Sequence, residues 1–310
     1  MVLIGAWVPP SVLSSRESVE EVVNMAARVP IDKLVVLVKD GGGRLFFSYE
    51  GHRPEYDYLK DLTELAQDHG LEVHAWFVVL REGGETPKGW VAENPQYAVV
   101  NEAGEPVGWI CPSHEESRKR VLSLFKALLE TYEVDGIHLD YIRYPEPIVA
   151  RGCFCARCGR GGYTDEDWIM RGVEYVNALV EESYELVKEY GVELSAAVFP
   201  NYPDCIIWIR QDWSRWVDEG FLDWVAPMNY TNIMEVFKAR SIIHASIVPE
   251  GVLLLEGIGK KSSMSALSPG KLIRQAEIAV KVGADGVVLF NYASLTEGDF
   301  KLLETFASRY

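Results

Sequence analysis

The chain has 310 residues, of which 48% are apolar, so it can bury a large core without disulfide bonds. Its 46 acidic residues outnumber its 30 basic residues and give a formal net charge of -16, which opposes binding to nucleic acid or anionic lipid and favours a neutral or cationic substrate. The odd number of cysteines, five, argues against a full disulfide framework and favours a reducing compartment.

The amino-terminal stretch predicts a first strand rather than a leader. The run VLIGAWV at residues 2–8 is short, has no basic region before it and leads into Pro9 and Pro10. We expect no signal peptide and no membrane span in this chain. We therefore expect a cytoplasmic protein, or a secreted one whose leader has been removed.

Runs with strand-like patterns recur along the whole chain and alternate with amphipathic helical patterns. The candidate strands are 2–8, 33–39, 72–79, 136–144, 192–200, 224–230, 252–258 and 286–293. Helix starts are indicated by Ser113 with Glu116, Thr164 with Asp167, Thr296 with Asp299, and Ser268 before Pro269. This alternation predicts an α/β fold, a single (β/α)8 TIM barrel over residues 1–310, with an open doubly wound sheet as the structural alternative.

Two connections are much longer than the others, residues 80–112 after the third strand and residues 145–163 after the fourth. Both leave the carboxyl ends of their strands, which is the end of a (β/α) barrel where chemistry is done. Long loops in a compact domain usually carry function or disorder. We expect these two to wall the same cleft.

The run DGIHLDYIRYP at residues 135–145 carries the main catalytic candidate. As a strand, it places His138 and Asp140 on one face and Ile137, Leu139 and Tyr141 on the other. Asp140 would then face the barrel interior near the carboxyl end of the strand, where a charge is costly unless it has a function. The structural alternative is a buried ion pair with Arg143 or a hydrogen bond to His138.

Other polar and aromatic residues are expected to meet Asp140 at the barrel mouth. Aromatic faces cover sugar rings, and amides and acids bind hydroxyls, so the set predicts carbohydrate binding, although single aromatic residues could merely fill the upper core. The predicted substrate-binding residues are Asp40, His74, Trp76, Trp109, His138, Arg143, Asn229, Tyr230, Asn291 and Tyr292.

Glycoside hydrolysis needs two carboxyl groups, one acting as nucleophile or base and the other as an acid with a raised pKa. We assign Asp140 as nucleophile or base and Glu256 as general acid, because Glu256 interrupts the apolar run Leu253 to Leu255. Asp40 is the reserve. A structural role for Glu256, as a partner of Lys39 or Arg143, is the alternative.

The segment CFCARC places Cys153, Cys155 and Cys158 within six residues. Three thiols can hold zinc if a fourth ligand arrives, and either Cys111 or Cys205 could supply it; we take Cys205 as the fourth. The alternatives are free thiols or a disulfide in the loop. No catalytic metal or other cofactor is expected. A similar cysteine-rich insertion occurs in some family 42 β-galactosidases, where it holds a structural metal.

DGIHLDYIRYP, VHAWF at 73–77, PSHEESR at 112–118 and APMNY at 226–230 resemble the glycoside-hydrolase-like barrel proteins called glycosyl hydrolase-like family ten. LVVLVKDGGGRLFF at 34–47 is similar to a neighbouring group of glycosyl hydrolases. The resemblance implies a TIM barrel, action on a glycan and a catalytic Asp at the position of Asp140. A second likeness, to family 18 chitinases, lacks that family's acidic Glu because Ile142 stands there.

The sequence therefore predicts a glycoside hydrolase that cleaves an O-glycosidic bond in an oligo- or polysaccharide. One alternative is a barrel that binds glycans without cleaving them. The other is a hydrolase or lyase that uses a metal held by the cysteine segment.

Overall fold

The computed structural model describes residues 2–310 and contains one closed barrel of eight parallel strands. The strands are β1 Leu3–Val8, β2 Lys33–Lys39, β3 Glu72–Val78, β6 Gly136–Asp140, β7 Glu193–Val198, β8 Trp224–Pro227, β9 Leu253–Gly259 and β10 Gly286–Phe290. Around the barrel the order is β1, β10, β9, β8, β7, β6, β3 and β2. Every barrel strand falls within or overlaps a predicted one. The (β/α)8 barrel is confirmed, and the open sheet is excluded because β1 pairs with both β2 and β10.

Helices follow the strands and cover the outside of the barrel. They are α1 Arg16–Arg28, α2 Tyr58–Gln67, α3 Gly89–Glu93, α4 Glu115–Leu129, α5 Asp165–Glu189, α6 Asp204–Ile209, α7 Trp213–Asp218, α8 Met234–Ile247, α9 Pro269–Lys281 and α10 Glu297–Ala307. Within residues 2–310, none of these helices has both the length and the apolarity that crossing a bilayer would require.

Three of the four predicted helix starts are confirmed. The side chains of Thr164, Thr296 and Ser268 each accept a hydrogen bond from the backbone three residues on, which satisfies a free donor of the first turn. The prediction for Ser113 is wrong, because α4 begins one residue after His114, which makes no side-chain cap. The hydroxyl of Ser113 lies 3.1 Å from the sulfur of Cys111 instead.

The barrel strands contribute side chains to two separate apolar cores. Residues that alternate along each strand face either the barrel interior or the helices, as a period of two requires. The interior core contains Trp7, Val35, Trp76, Ala197, Trp224, Ala226, Leu255 and Val288. The larger core lies between the strands and the helices and includes Ile137, Leu139, Val225, Leu254 and Ile258. Membership of one core or the other tells which way each neighbouring polar side chain points.

The connection between β3 and α4 is more ordered than a plain loop. It contains α3 and an antiparallel pair of short strands, β4 Ala98–Val100 and β5 Pro106–Ile110. Backbone hydrogen bonds join Ile110 to Leu80 and Glu82 to Gly108, so the pair is fixed against the carboxyl end of β3. This hairpin forms part of the wall around the barrel mouth.

Candidate active site

Asp140 lies inside the barrel at the last residue of β6, as the alternation predicted. Ile137 and Leu139 belong to the outer core, so Asp140 points to the interior, where it is only 5% exposed. The indole Nε1 of Trp76 donates to its Oδ2 at 3.0 Å, and the backbone N–H of Tyr141 donates to its Oδ1 at 2.7 Å. Both oxygens of the carboxyl group are therefore held in place.

The environment of Asp140 makes its carboxyl group hold a proton unusually well. Burial raises its pKa to about 6, because a charge is poorly solvated inside the barrel. The hydrogen bonds from Trp76 and Tyr141 and the charges of Arg143 and Arg81 lower the pKa, but burial outweighs them. Perturbed carboxyl groups of this kind are typical of catalytic sites.

The backbone changes direction directly after Asp140. Tyr141 has a φ of +51°, which is in the left-handed region that residues with a Cβ rarely adopt. Such a conformation costs about 1 to 3 kcal/mol and is concentrated at functional sites. It allows the N–H of Tyr141 to bind the preceding carboxylate while its ring turns into the wall of the mouth.

Two arginines alternate with three aromatic rings along this wall. The Arg81 guanidinium lies 5.7 Å from the Trp109 ring and 5.2 Å from the Tyr141 ring, and Nη1 of Arg81 donates to the Tyr141 hydroxyl at 3.1 Å. Arg143 lies between Tyr141 and Phe199, 4.5 and 4.8 Å from their rings. Cation–π contacts of this kind hold both charged groups close enough to Asp140 to influence its pKa.

Sequence reasoning identified Trp109 and Arg143 in this wall but missed Arg81, Tyr141 and Phe199. Tyr141 was assigned to the outer face, because strict alternation along the strand was assumed beyond Asp140. Phe199 directly follows the end of β7, and Arg81 lies three residues after the end of β3. Their position just past the carboxyl end of a barrel strand was the available signal.

Aromatic rings surround Asp140 from the other side. Trp76 is 8% exposed, and Tyr230 stacks on Phe290 with ring centroids 5.3 Å apart. Burial, and after it the charge of Asp140, raises the pKa of the Tyr230 phenol well above its usual range. Trp76 and Tyr230 thus lie at the candidate site, as expected.

His138 lies one layer below Asp140 and is sealed from the mouth. Its Nε2 accepts a hydrogen bond from Trp7 Nε1 at 3.1 Å, its Nδ1 bonds the Ser195 hydroxyl at 2.8 Å, and its ring stacks on Trp224. Burial holds its pKa well below the usual range. The expectation that His138 contacts substrate is wrong, because this neutral imidazole is fully enclosed by barrel side chains.

His74 is also placed wrongly by the sequence prediction. It faces the interior, but near the amino-terminal end of the barrel, with its Nε2 3.1 Å from a carboxylate oxygen of Glu72 and its ring packed edge-on against Trp224. Lys33 bridges Glu72 and Glu193 in the same group. This ionic cluster, in which Lys33 and His74 are buried and Glu72 and Glu193 are partly exposed, joins β2, β3 and β7 and lies at the end opposite the mouth.

Glu256 faces the helices and not the mouth. Leu253 and Leu255 point into the barrel, whereas Glu256 shares the outer face with Leu254 and Ile258. It is fully buried, and its Oε1 lies 2.7 Å from Nδ1 of His244 on α8. This position contradicts the expectation that Glu256 is the acid opposite Asp140, because the Glu256 side chain points away from the barrel interior.

Asn229 belongs to the same outward-facing group. Its side-chain amide donates to the Phe237 carbonyl at 3.0 Å and lies 3.4 Å from Glu256. The side chain of Tyr292 also points away from the mouth, because its ring packs against Phe300 of α10. Neither Asn229 nor Tyr292 is placed to bind a substrate above Asp140.

The remaining predicted residues lie at the rim. Asn291 is half-buried directly after β10. Asp40 is half-buried in the turn after β2, where its Oδ1 accepts hydrogen bonds from the backbone of Gly42 and Arg44 at 2.8 and 3.0 Å. These bonds fix the turn and leave the second oxygen of Asp40 available.

The fourth cysteine that lies beside Cys153, Cys155 and Cys158 is not the Cys205 that was predicted. The sulfur atoms of Cys111, Cys153, Cys155 and Cys158 all lie within 4.8 Å of one another. Cys205 is buried in α6 and is not part of this group. Of the two candidates that the sequence offered, Cys111 is therefore the one that joins the segment, because β5 ends beside it.

A comparison with protein families matches residues 43–267 to "Glycosyl hydrolase-like 10". The chain belongs to the glycosyl hydrolase-like 10 family. The matched range includes Trp76, Arg81, Asp140 and Arg143, whereas Asp40 and Phe290 lie outside it.

Curated relatives of this glycosyl hydrolase-like 10 protein are about a quarter identical to it over the part of the chain that aligns. "Glycosyl hydrolase YngK" of Bacillus subtilis (strain 168) is 24% identical over 217 residues, covering 59% of this chain and 41% of YngK. "Glycosyl hydrolase DigH" of Escherichia coli (strain K12) is 25% identical over 213 residues, covering 58% and 47%. The chain thus spans less than half the length of these relatives.

Solved structures with the same fold include glycoside hydrolases. The glycoside hydrolase domain of PgaB (BpsB) from Bordetella bronchiseptica has a TM-score of 0.79 at 13% identity and is matched over 98% of both chains. The catalytic domain of β-amylase from Paenibacillus polymyxa has a TM-score of 0.68 at 13% identity, with 98% of this chain and 97% of that chain covered. At such identities the likeness shows the shared barrel fold.

Replacing Trp76 with Phe in this family member is expected to raise the pKa of Asp140 further. The variant keeps an aromatic ring but removes the indole N–H that stabilises the ionised carboxylate. We expect the pH at which Asp140 titrates in a pH–rate profile to rise by about one pH unit. The matched control is Trp216→Phe, which removes a buried indole N–H bonded to Asn177 in the helical layer. An equal shift in both variants would contradict the role given to Trp76.

Proposed function

We propose that this protein is a glycoside hydrolase whose catalytic carboxyl group is Asp140. The observation that carries the proposal is the buried position of Asp140 at the carboxyl end of β6, with a pKa of about 6 and with Trp76 and Tyr230 beside it. A carboxyl group with a pKa of about 6 is half protonated at pH 6, and in that form it can protonate the oxygen of a leaving group. Adjacent aromatic faces suit the apolar sides of sugar rings.

The raised pKa supports a role for Asp140 different from the one that the sequence suggested. A nucleophile or base has to be ionised, and burial disfavours that form here. We therefore assign Asp140 as the general acid. Trp76 and the backbone of Tyr141 orient its two oxygens, and the same donors stabilise the carboxylate that remains after proton transfer.

Glu146 is the best candidate for the second carboxylate. It lies in the loop that follows Asp140, its side chain is 38% exposed, and its Oε1 lies 2.6 Å from Nη2 of Arg143. Burial raises the pKa of Glu146, but the charge of Arg143 and the hydrogen bonds to the Glu146 carboxylate together outweigh this and leave the pKa below its usual value. Two carboxyl groups whose pKa values are pushed in opposite directions supply an acid and a base. Asp40 remains the alternative, because one of its oxygens is free at the rim.

The test is a screen of chromogenic glycosides and of cell-wall and storage glycans, followed by a pH–rate profile on the best substrate. The acid must be protonated, so kcat/KM is expected to fall as pH rises through about 6, and to fall again at low pH when the ionised partner takes up a proton. A kcat/KM that rises through pH 6 would assign Asp140 as nucleophile or base instead.

Two variants distinguish the candidates for the second carboxylate. Glu146→Gln keeps the size of the side chain and removes its charge, and Asp40→Asn does the same at the rim. We expect the first to lower kcat/KM by about 10²-fold or more and the second to have a much smaller effect. The reverse order would assign the role to Asp40.

A barrel that binds glycans without cleaving them is the second candidate. The observation that favours it is that Glu256, the carboxylate expected opposite Asp140, faces the helices instead of the mouth. Glycan binding without product release, unaffected by Asp140→Asn, would support this function and overturn the hydrolase.

A further inference from the structure

Four cysteines from two separate loops converge beside the barrel mouth. Cys111 directly follows β5, whereas Cys153, Cys155 and Cys158 lie in the loop between β6 and α5. All four are buried, all are free thiols, and their sulfur atoms lie within 4.8 Å of one another. Residues more than 40 positions apart thus supply one compact group of soft ligands.

The spacing of these sulfur atoms matches a single tetrahedral ion. A zinc ion bound by four thiolates at about 2.3 Å places neighbouring sulfurs about 3.8 Å apart. The sulfur of Cys111 lies 3.6 Å from that of Cys153 and 3.5 Å from that of Cys158. An iron–sulfur cluster would hold its cysteines further apart than 4.8 Å, because its own iron and sulfide atoms lie between them. We propose that Cys111, Cys153, Cys155 and Cys158 bind one structural Zn²⁺.

Hydrogen-bond donors around the sulfurs support this assignment. The backbone N–H of Val100 donates to Cys153 Sγ at 3.4 Å, the Ser113 hydroxyl lies 3.1 Å from Cys111 Sγ, and the Tyr144 hydroxyl lies 3.6 Å from Cys158 Sγ. A zinc ion with four thiolates carries a net charge of about -2. Donors in the surrounding shell orient such ligands and offset their charge.

A buried guanidinium supplies the opposite charge. Arg210 is 4% exposed and lines the same small cavity as Cys153, Cys158 and Tyr144. Its guanidinium donates to backbone carbonyls and lies 5.2 Å from the Trp168 ring, and it forms no ion pair with a carboxylate in the part of the chain that the structure describes. A buried cation is costly without an anionic partner, and a zinc tetrathiolate would provide one.

The ion would join two walls of the candidate active site. Cys111 is attached to the β4–β5 pair, which carries Trp109, and the other three cysteines follow the segment that carries Arg143. Zinc binding would therefore fix both loops relative to the barrel. Each cysteine would bind the ion as a thiolate and release its proton. The role is structural, because all four ligand positions are filled by protein and none is left for substrate.

The test is metal analysis of untagged protein that has been expressed with added zinc and purified without a chelator. We expect one zinc per chain, no iron, and four thiols that react with a thiol reagent only after a chelator has been added. Cys205 provides the matched control, since it is buried but lies outside the group. Cys205→Ser should retain one zinc per chain, and Cys158→Ser should lose it.

A second measurement covers the case in which Cys158→Ser does not fold. Wild-type protein from which zinc has been removed is reloaded with Co²⁺, whose visible spectrum reports tetrahedral thiolate ligands. Strong thiolate-to-cobalt absorption and recovery of the thermal stability lost with the metal are expected. Protein that lacks zinc, carries disulfides within the group, contains iron, or shows no stability change upon metal removal would overturn the proposal.

Discussion

Asp140→Asn is expected to lower kcat/KM by about 10³-fold while leaving the barrel folded. Asn is close in shape to Asp but cannot donate a proton to a leaving group, so the chemical step loses its acid. The measurement is a comparison of wild type and variant on the best glycan, together with circular dichroism of both proteins. If the variant kept full activity, Asp140 would not be the catalytic group.

The same variant is expected to change how stability depends on pH. The pKa of Asp140 is about 6 in the folded protein and near the ordinary value of 3.8 when unfolded, so the folded state holds the proton more tightly. This contribution to stability is present below the unfolded pKa and is lost as pH rises through about 6. Between pH 4 and pH 8 the variant should therefore gain about 2 kcal/mol in unfolding free energy relative to wild type. Parallel stability curves for the two proteins would show that the carboxyl group is not perturbed.

Glu256→Ala is expected to lower the unfolding free energy by about 3 kcal/mol while the folded protein keeps its kcat/KM. The carboxylate is fully buried and binds Nδ1 of His244, whose Nε2 also faces the Pro200 carbonyl. Removing it leaves Nδ1 of the buried His244 imidazole without its partner and takes away one of the acceptors beside the Asn229 amide. Urea unfolding and steady-state kinetics measure the two effects separately.

Glu256→Gln is the control for that prediction. It retains an oxygen acceptor at the same place, so the loss of stability should be smaller, about 1 kcal/mol. A large fall in kcat/KM for either variant, with stability unchanged, would return Glu256 to the active site.

The fold could be predicted from the sequence because each barrel strand has its own apolar run. The position of Asp140 could also be predicted, since a strand has a period of two and the run around Ile137 and Leu139 fixes its phase. The sequence could not tell whether Cys111 or Cys205 is the fourth cysteine of the group. The short β4–β5 pair places Cys111 beside the other three, and so few residues form this pair that their pattern does not predict it.

Glu256 and Asn229 show why the rest of the site could not be read in the same way. A polar residue in a buried strand was taken to face the mouth, but a buried polar group can equally face the helices if they supply a partner. That partner is His244 on α8, a residue that has no signal in the strand itself. Only the register between β9 and α8 reveals it.

The layer formed by Trp7, His138 and Trp224 closes the barrel immediately beneath Asp140. The well above it is therefore blind, and a polymer cannot thread through the cylinder from one end to the other. For the glycoside hydrolase proposed above, a glycan would therefore have to reach Asp140 from the open side, and both products would have to leave by that same side.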